Sequence, residues 1–93
     1  VGDFSFRIVI WGTVQGIGFR EFALQKANAL DVSGYVRNLP CQNAVEVVAE
    51  GFRDNLVQFS ELLQEGPPAS TVVKVDQAWS ASSLSLKGFI RLD

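Results

Sequence analysis

A chain of 93 residues, 47% of them hydrophobic and including seven Phe and two Trp, has the length of one domain (1–93) and enough apolar side chains for one core. Charged residues are 19% and the net charge is −2, which gives no electrostatic reason to expect a nucleic acid or an anionic membrane as partner; any anion site must be local. A single cysteine, Cys41, excludes an intramolecular disulfide, and the absence of histidine removes the usual metal-ligand spacings.

In chain order, Phe4, Phe6, Ile8 and Ile10 alternate along "FSFRIVIW", which predicts a strand with Ser5, Arg7, Val9 and Trp11 on a partly covered second face. Asp3 and Arg7 within that alternation do not make a signal peptide, and no apolar run approaches the roughly 18 residues of a membrane span. From Phe19 to Leu30 the apolar positions Phe19, Phe22, Ala23, Ala27 and Leu30 mark one face of a helix, with Glu21 in its first turn. Two β-rich segments, Val32 to Leu39 and Ala44 to Gly51, read as a hairpin around "LPCQN", with Glu46 and Glu50 expected to be exposed. Pro40 restricts Leu39 to extended backbone, and Asn43 is the residue expected to take up any left-handed turn position.

The segment from Arg53 to Gly66 predicts a second helix that buries Leu56, Phe59, Leu62 and Leu63, with Asp54 or Asn55 as cap and Gly66-Pro67-Pro68 as stop. A strand over Thr71–Trp79, a polar connection and a short strand over Phe89–Asp93 follow. The order β-α-β-β-α-β predicts the α+β ferredoxin-like sandwich: an antiparallel sheet, both helices on one face, and a short fifth strand. That fold hosts many functions.

The stretch "GTVQGIGFR", Gly12 to Arg20, joins the first strand to the first helix. Glycines permit positive φ and close approach of a ligand to the backbone. The helix start adds unpaired N–H groups and the positive end of its dipole. Arg20 adds a planar fork of donors that matches two oxygens. Together these make a cradle for a small tetrahedral anion, phosphate first. The same composition also serves as a plain turn with a solvated arginine, so the stretch alone does not decide between the two. It is neither a Walker loop nor a complete dinucleotide fingerprint.

"GTVQGIGFR" resembles the acylphosphatase signature G-x-V-Q-G-V-x-[FY]-R, with Ile17 in place of the usual valine, and "GYVRN", Gly34 to Asn38, resembles the second family block. "VEVVAEG" and "GFIRL" resemble later strands of the same family, so the similarity runs over nearly the whole chain. Acylphosphatases hydrolyse the carboxyl–phosphate bond of acyl phosphates without metal or cofactor. The resemblance implies phosphate binding by Gln15, Gly16, Ile17, Gly18 and Phe19 through backbone N–H groups and by the Arg20 side chain, with Arg20 and Asn38 catalytic, Asn38 positioning the attacking water. It also implies a small acyl phosphate as substrate and inorganic phosphate or sulfate as product or inhibitor; a cytoplasmic monomer with no metal site and no membrane or nucleic-acid partner is expected.

Asn38 by itself, just before "LP", also fits an ordinary turn residue. Tyr35 and Phe22 are expected in the core, Arg37 is expected to face away from Asn38, and Cys41 is read as an incidental thiol. The turn "LPCQNA" departs from the family in lacking glycine and in being about one residue longer, which bears on the placement of Asn38. A non-catalytic anion-binding regulatory module on the same fold is the alternative function. An RNA-binding sheet, with Trp11 and Trp79 on its open face, ranks last because the charge balance is wrong.

Overall fold

The computed structural model describes residues 4–81 and 86–92. Alternating apolar positions mark β1 (Phe4–Thr13), and β-rich runs form β2 (Ser33–Leu39), β3 (Ala44–Gly51) and β4 (Thr71–Ala81); helical periodicity gives α1 (Phe19–Ala29) and α2 (Arg53–Glu65); β5 spans Phe89–Arg91. They form one sheet of order β4-β1-β3-β2-β5. The first four strands pair antiparallel, as the ferredoxin-like sandwich requires, but β5 joins β2 in parallel, so the sheet is mixed. The reason is local. β4 ends opposite Phe4, at the end of the sheet where β2 begins, and Gly34 N–H donates to Gly88 O (2.9 Å) there, so β5 starts beside the start of β2.

Phe6, Ile8 and Ile10 of β1, Val45, Val47 and Ala49 of β3 and Val36 of β2 face both helices. They meet Phe19, Ala23 and Ala27 of α1 and Leu56, Phe59 and Leu63 of α2, every one at most 2% exposed. Aromatic rings cross this layer from one edge to the other. Trp79 packs edge-on against Phe6 (5.1 Å), Phe6 stacks with Phe59 (6.0 Å), and Phe59 meets Phe89 edge-on (5.6 Å). Each such pair adds about 0.5–1.5 kcal/mol beyond its burial.

Several sequence expectations change. Leu62, Leu30, Phe22 and Tyr35 are half-buried rather than central. Neither Asp54 nor Asn55 caps α2: the cap is Phe52, in extended backbone with no side-chain hydrogen bond. Trp79 lies on the helix side of the sheet, because residue parity along β4 pairs it with Phe6. Trp11 does face the open side, beside Val9, Leu39 and Ala44, with Lys74 Nζ 4.7 Å from its ring centroid. Glu46 and Glu50 are buried, not exposed, at 3% and 4%. β3 is flanked on both sides, so long neighbouring side chains cover them. Arg7 and Arg37 reach over Glu46 from either flank (2.5 and 2.6 Å), and Glu50 accepts from Leu86 N–H (2.9 Å). No helix among the described residues is long and apolar enough to cross a membrane.

Candidate active site

The chain leaves β1 at Thr13 and turns through residues 14–18 into α1. Val14 (1% exposed) and the half-buried Ile17 anchor this turn in the core, while Gly16 and Gly18 lie exposed between and beside them. Gly16 has φ 75° and Gly18 φ 84°, both in the left-handed region, and Ile17 between them does not have positive φ. A Cβ at either glycine would meet nothing within 4 Å. Backbone conformation, not crowding, therefore calls for glycine here. Alternation of this kind turns successive N–H groups toward one point, the geometry of an anion-binding nest. The N–H groups of Gly16, Ile17, Gly18 and Phe19 donate to no other described residue, whereas Gly18 O already accepts from Phe22 N–H (2.9 Å) and so starts the helix.

The turn opens onto a cavity of about 120 Å³. Val14, Gly16, Gly18 and Phe19 line it from the turn, Arg20 and Glu21 from the first turn of α1, Asn38 from β2, and Arg91 from β5. Among the residues expected in a phosphate site, Gly16, Gly18, Phe19, Arg20 and Asn38 are thus brought together. Gln15 and Ile17 do not line the cavity. Ile17 packs toward the core, and the Gln15 side chain turns the other way, to the 39–44 turn.

Arg20 donates from Nη1 to Leu92 O (3.0 Å), which orients its guanidinium at the cavity wall. A guanidinium carries five N–H donors in a fixed plane, so holding one direction sets the others. Asn38 is half-buried, and its Oδ1 is buried without a hydrogen-bond partner among the described residues. Leaving such an acceptor unpaired costs about 1–3 kcal/mol, so a buried orphan acceptor calls for a partner. Rotating the carboxamide by half a turn exchanges its oxygen and nitrogen.

Arg37, the residue before Asn38 on the strand, points to the opposite face as expected. There the hydrogen bond and charge of Glu46 raise its guanidinium above the ordinary arginine value. Cys41 is exposed, outside the cavity, and carries the left-handed φ (65°) that was expected of Asn43. Asn43 instead offers its carbonyl to Gly12 N–H (2.9 Å), a pairing that continues the ladder and leaves position 41 to make the turn.

Sequence reasoning did not find Glu21 and Arg91 at the cavity, where they face one another at 3.4 Å. Glu21 follows Arg20 directly, and Arg91 reaches the site only because β5 lies parallel to β2, which no local pattern shows.

The acylphosphatase family model matches residues 6–91. The chain is 40% identical over 83 residues to the acylphosphatase of Dehalococcoides mccartyi strain CBDB1, covering 89% of this chain and 91% of that one. It is 44% identical over 81 residues to the acylphosphatase of Thermus thermophilus, covering 87% and 90%. The fold superposes on the crystal structure of acylphosphatase from Bacillus subtilis with a TM-score of 0.89, at 32% identity, over 97% of this chain and 98% of that one. By sequence over most of its length and by fold, the chain that forms this cavity belongs to the acylphosphatase family of enzymes.

Proposed function

We propose that this chain hydrolyses the carboxyl–phosphate bond of small acyl phosphates by in-line attack of a water held by Asn38, on a phosphate held by Arg20 and the N–H groups of residues 15–19. The observation that carries this reading is the convergence on one cavity of Gly16, Gly18, Arg20 and Asn38, whose Oδ1 is buried with no partner among the described residues. Family membership supplies the reaction class.

The chemistry asks little of titratable groups. The leaving group is a carboxylate, which departs unprotonated near neutral pH, so no general acid is required. One P–O bond forms to water while the P–O bond to the acyl oxygen breaks. The dianionic acyl phosphate and water give a carboxylate and dihydrogen phosphate, the water's second proton passing to a phosphate oxygen. Phosphoryl transfer depends on positioning and on stabilising charge over the equatorial oxygens. Arg20 and the nest supply charge stabilisation. An amide oxygen accepting from the water supplies orientation, and Asn cannot act as a base at this pH.

Hydrolysis of a synthetic acyl phosphate by the purified chain, with and without exhaustive chelation, tests this. Turnover unaffected by chelator, with competitive inhibition by inorganic phosphate, is the expected result. Binding of phosphate with no turnover would replace the enzyme by the anion-binding module, and rescue of a chelated sample by a divalent ion would overturn the metal-free mechanism.

A further inference from the structure

The sequence assigned Gln15 a backbone role only, yet its side chain makes the densest polar contact near the site. Its Nε2 lies 2.7 Å from Ala44 O, 2.8 Å from Gln42 O and 3.1 Å from Leu39 O. A carboxamide nitrogen carries two hydrogens, so these three carbonyls share both. All three belong to the turn that begins one residue after Asn38. Beyond its closing Leu39–Ala44 pair, that turn has little internal bonding. It has no glycine, Cys41 sits at φ 65°, and its internal backbone bond, Gln42 N–H to Leu39 O, is long at 3.3 Å. Its other tethers come from the end of β1: Gly12 N–H to Asn43 O at 2.9 Å and Trp11 Nε1–H to Gln42 Oε1 at 3.3 Å.

Gln15 stands between Val14 and Gly16, which line the cavity, and its amide grips the turn that follows Asn38, which lines it from β2. We propose that the Gln15 carboxamide is a positioning residue for hydrolysis: it clamps the 39–44 turn to the anion-binding loop and so fixes the distance between the bound phosphate and the Asn38 amide. This rests on the catalytic reading of Asn38 given above.

Gln15→Met keeps length and volume and removes the donors. Because misplacement by about 1 Å costs on the order of 100-fold, kcat should fall roughly 10- to 100-fold, while inorganic phosphate affinity stays within about threefold, as ground-state binding does not use Asn38. A double-mutant cycle separates positioning from plain destabilisation. Added to Asn38→Ala, Gln15→Met should lower kcat by less than about twofold, because its effect passes through Asn38. Multiplying losses in the double variant, a parallel loss of phosphate affinity, or a Gln15→Met kcat within about threefold of the parent would each overturn the proposal.

Amide hydrogen exchange reads the clamp without turnover. The Gln42 and Gly12 amides should exchange roughly tenfold faster or more in Gln15→Met. In the unaltered chain, which needs no variant to fold, the Gln15 side-chain amide protons should exchange more slowly than those of the exposed Gln25. Unchanged exchange in the variant, or equal side-chain rates in the parent, overturns the clamp. Absence of acyl phosphate hydrolysis by the unaltered chain overturns instead the catalytic reading it serves.

Discussion

Asn38→Ala should move activity and stability in opposite directions. In the folded chain Asn38 Oδ1 is buried with no partner among the described residues, a penalty of about 1–3 kcal/mol that disappears with the side chain. Against this stand the loss of a few contacts of a half-buried residue and the lower strand propensity of alanine, together up to about 1 kcal/mol. Folding stability should therefore be unchanged or raised by up to about 2 kcal/mol, on the order of 10 °C in Tm for a domain of this size. Turnover should fall, because removing one preorganised polar group from a reacting centre costs about 2.7–4 kcal/mol, roughly 100- to 1000-fold in kcat. Phosphate affinity should hold, since in the proposed mechanism Arg20 and the backbone N–H groups of the loop hold the anion. The assay is steady-state hydrolysis beside a thermal melt and phosphate calorimetry on the same preparation. A Tm lowered by several degrees would show that Asn38 is a structural hairpin residue. A kcat within a few fold of the parent would show that the amide does not hold the attacking water.

Arg20→Gln should weaken phosphate binding and lower kcat/KM together, whereas Arg37→Gln, whose side chain engages Glu46 on the opposite face, should leave both within about twofold; equal losses at equal stability would mean that the wrong arginine has been assigned. Glu21→Gln should leave kcat within a few fold if the water's proton goes to phosphate, and a collapse of the pH–rate profile would instead make Glu21 the base. Burial pushes the Glu46 carboxyl up, but the hydrogen bonds and charges of Arg37 and Arg7 outweigh it, so its value lies below the ordinary range. Its stabilisation is therefore full above the unfolded value of about 4.3 and is lost as pH falls through the lower folded value. Glu46→Gln should be less stable than the parent at neutral pH by about 1–3 kcal/mol, and the gap should close in acid melts; a gap independent of pH would refute the ion pairs. Gly34→Ala places a Cβ 1.9 Å from Val48 O at φ 143°, so denaturant titration should show a loss of roughly 3 kcal/mol or more, and a neutral result would mean that β2 and β3 separate there at little cost.

What the sequence made legible follows from periodicity and from residues whose conformation is self-determined. Every strand and helix appears near its predicted bounds, because alternation in β1, the 3.6-residue repeat in both helices and β-rich runs between turn residues mark them locally. Gly16 and Gly18 were legible because φ near 80° is a property of the residue itself. The misses share another physical origin. Glu46 and Glu50 look like solvent-facing charges along β3, and only the two flanking strands bury them. Trp79 was misplaced because a terminal stretch of strand has no parity of its own until it is paired. The left-handed position fell to Cys41 rather than Asn43 because the register of the hairpin, not intrinsic preference, selects it; a non-glycine residue there costs about 1–2 kcal/mol.

The position of the site follows from the topology more than from any one residue. β1 and β2 are both antiparallel to β3, which lies between them, so they run in the same direction and their carboxyl ends meet at one end of the sheet. The loop after β1 and Asn38 near the end of β2 are thereby neighbours although 20 residues apart (18 to 38). α1, which connects the two strands, starts at that same end and delivers Arg20 there. β5 runs parallel to β2, so its own carboxyl end brings Arg91 and the Leu92 carbonyl to the same place. Every cavity-lining residue thus comes from the first split βαβ unit or from β5, while α2 and β4 contribute none. Core packing between α2 and β4 supports the sheet without touching the cavity. Changes there should trade in stability alone, whereas a displacement of β5 by a single residue would withdraw the carbonyl that aims Arg20.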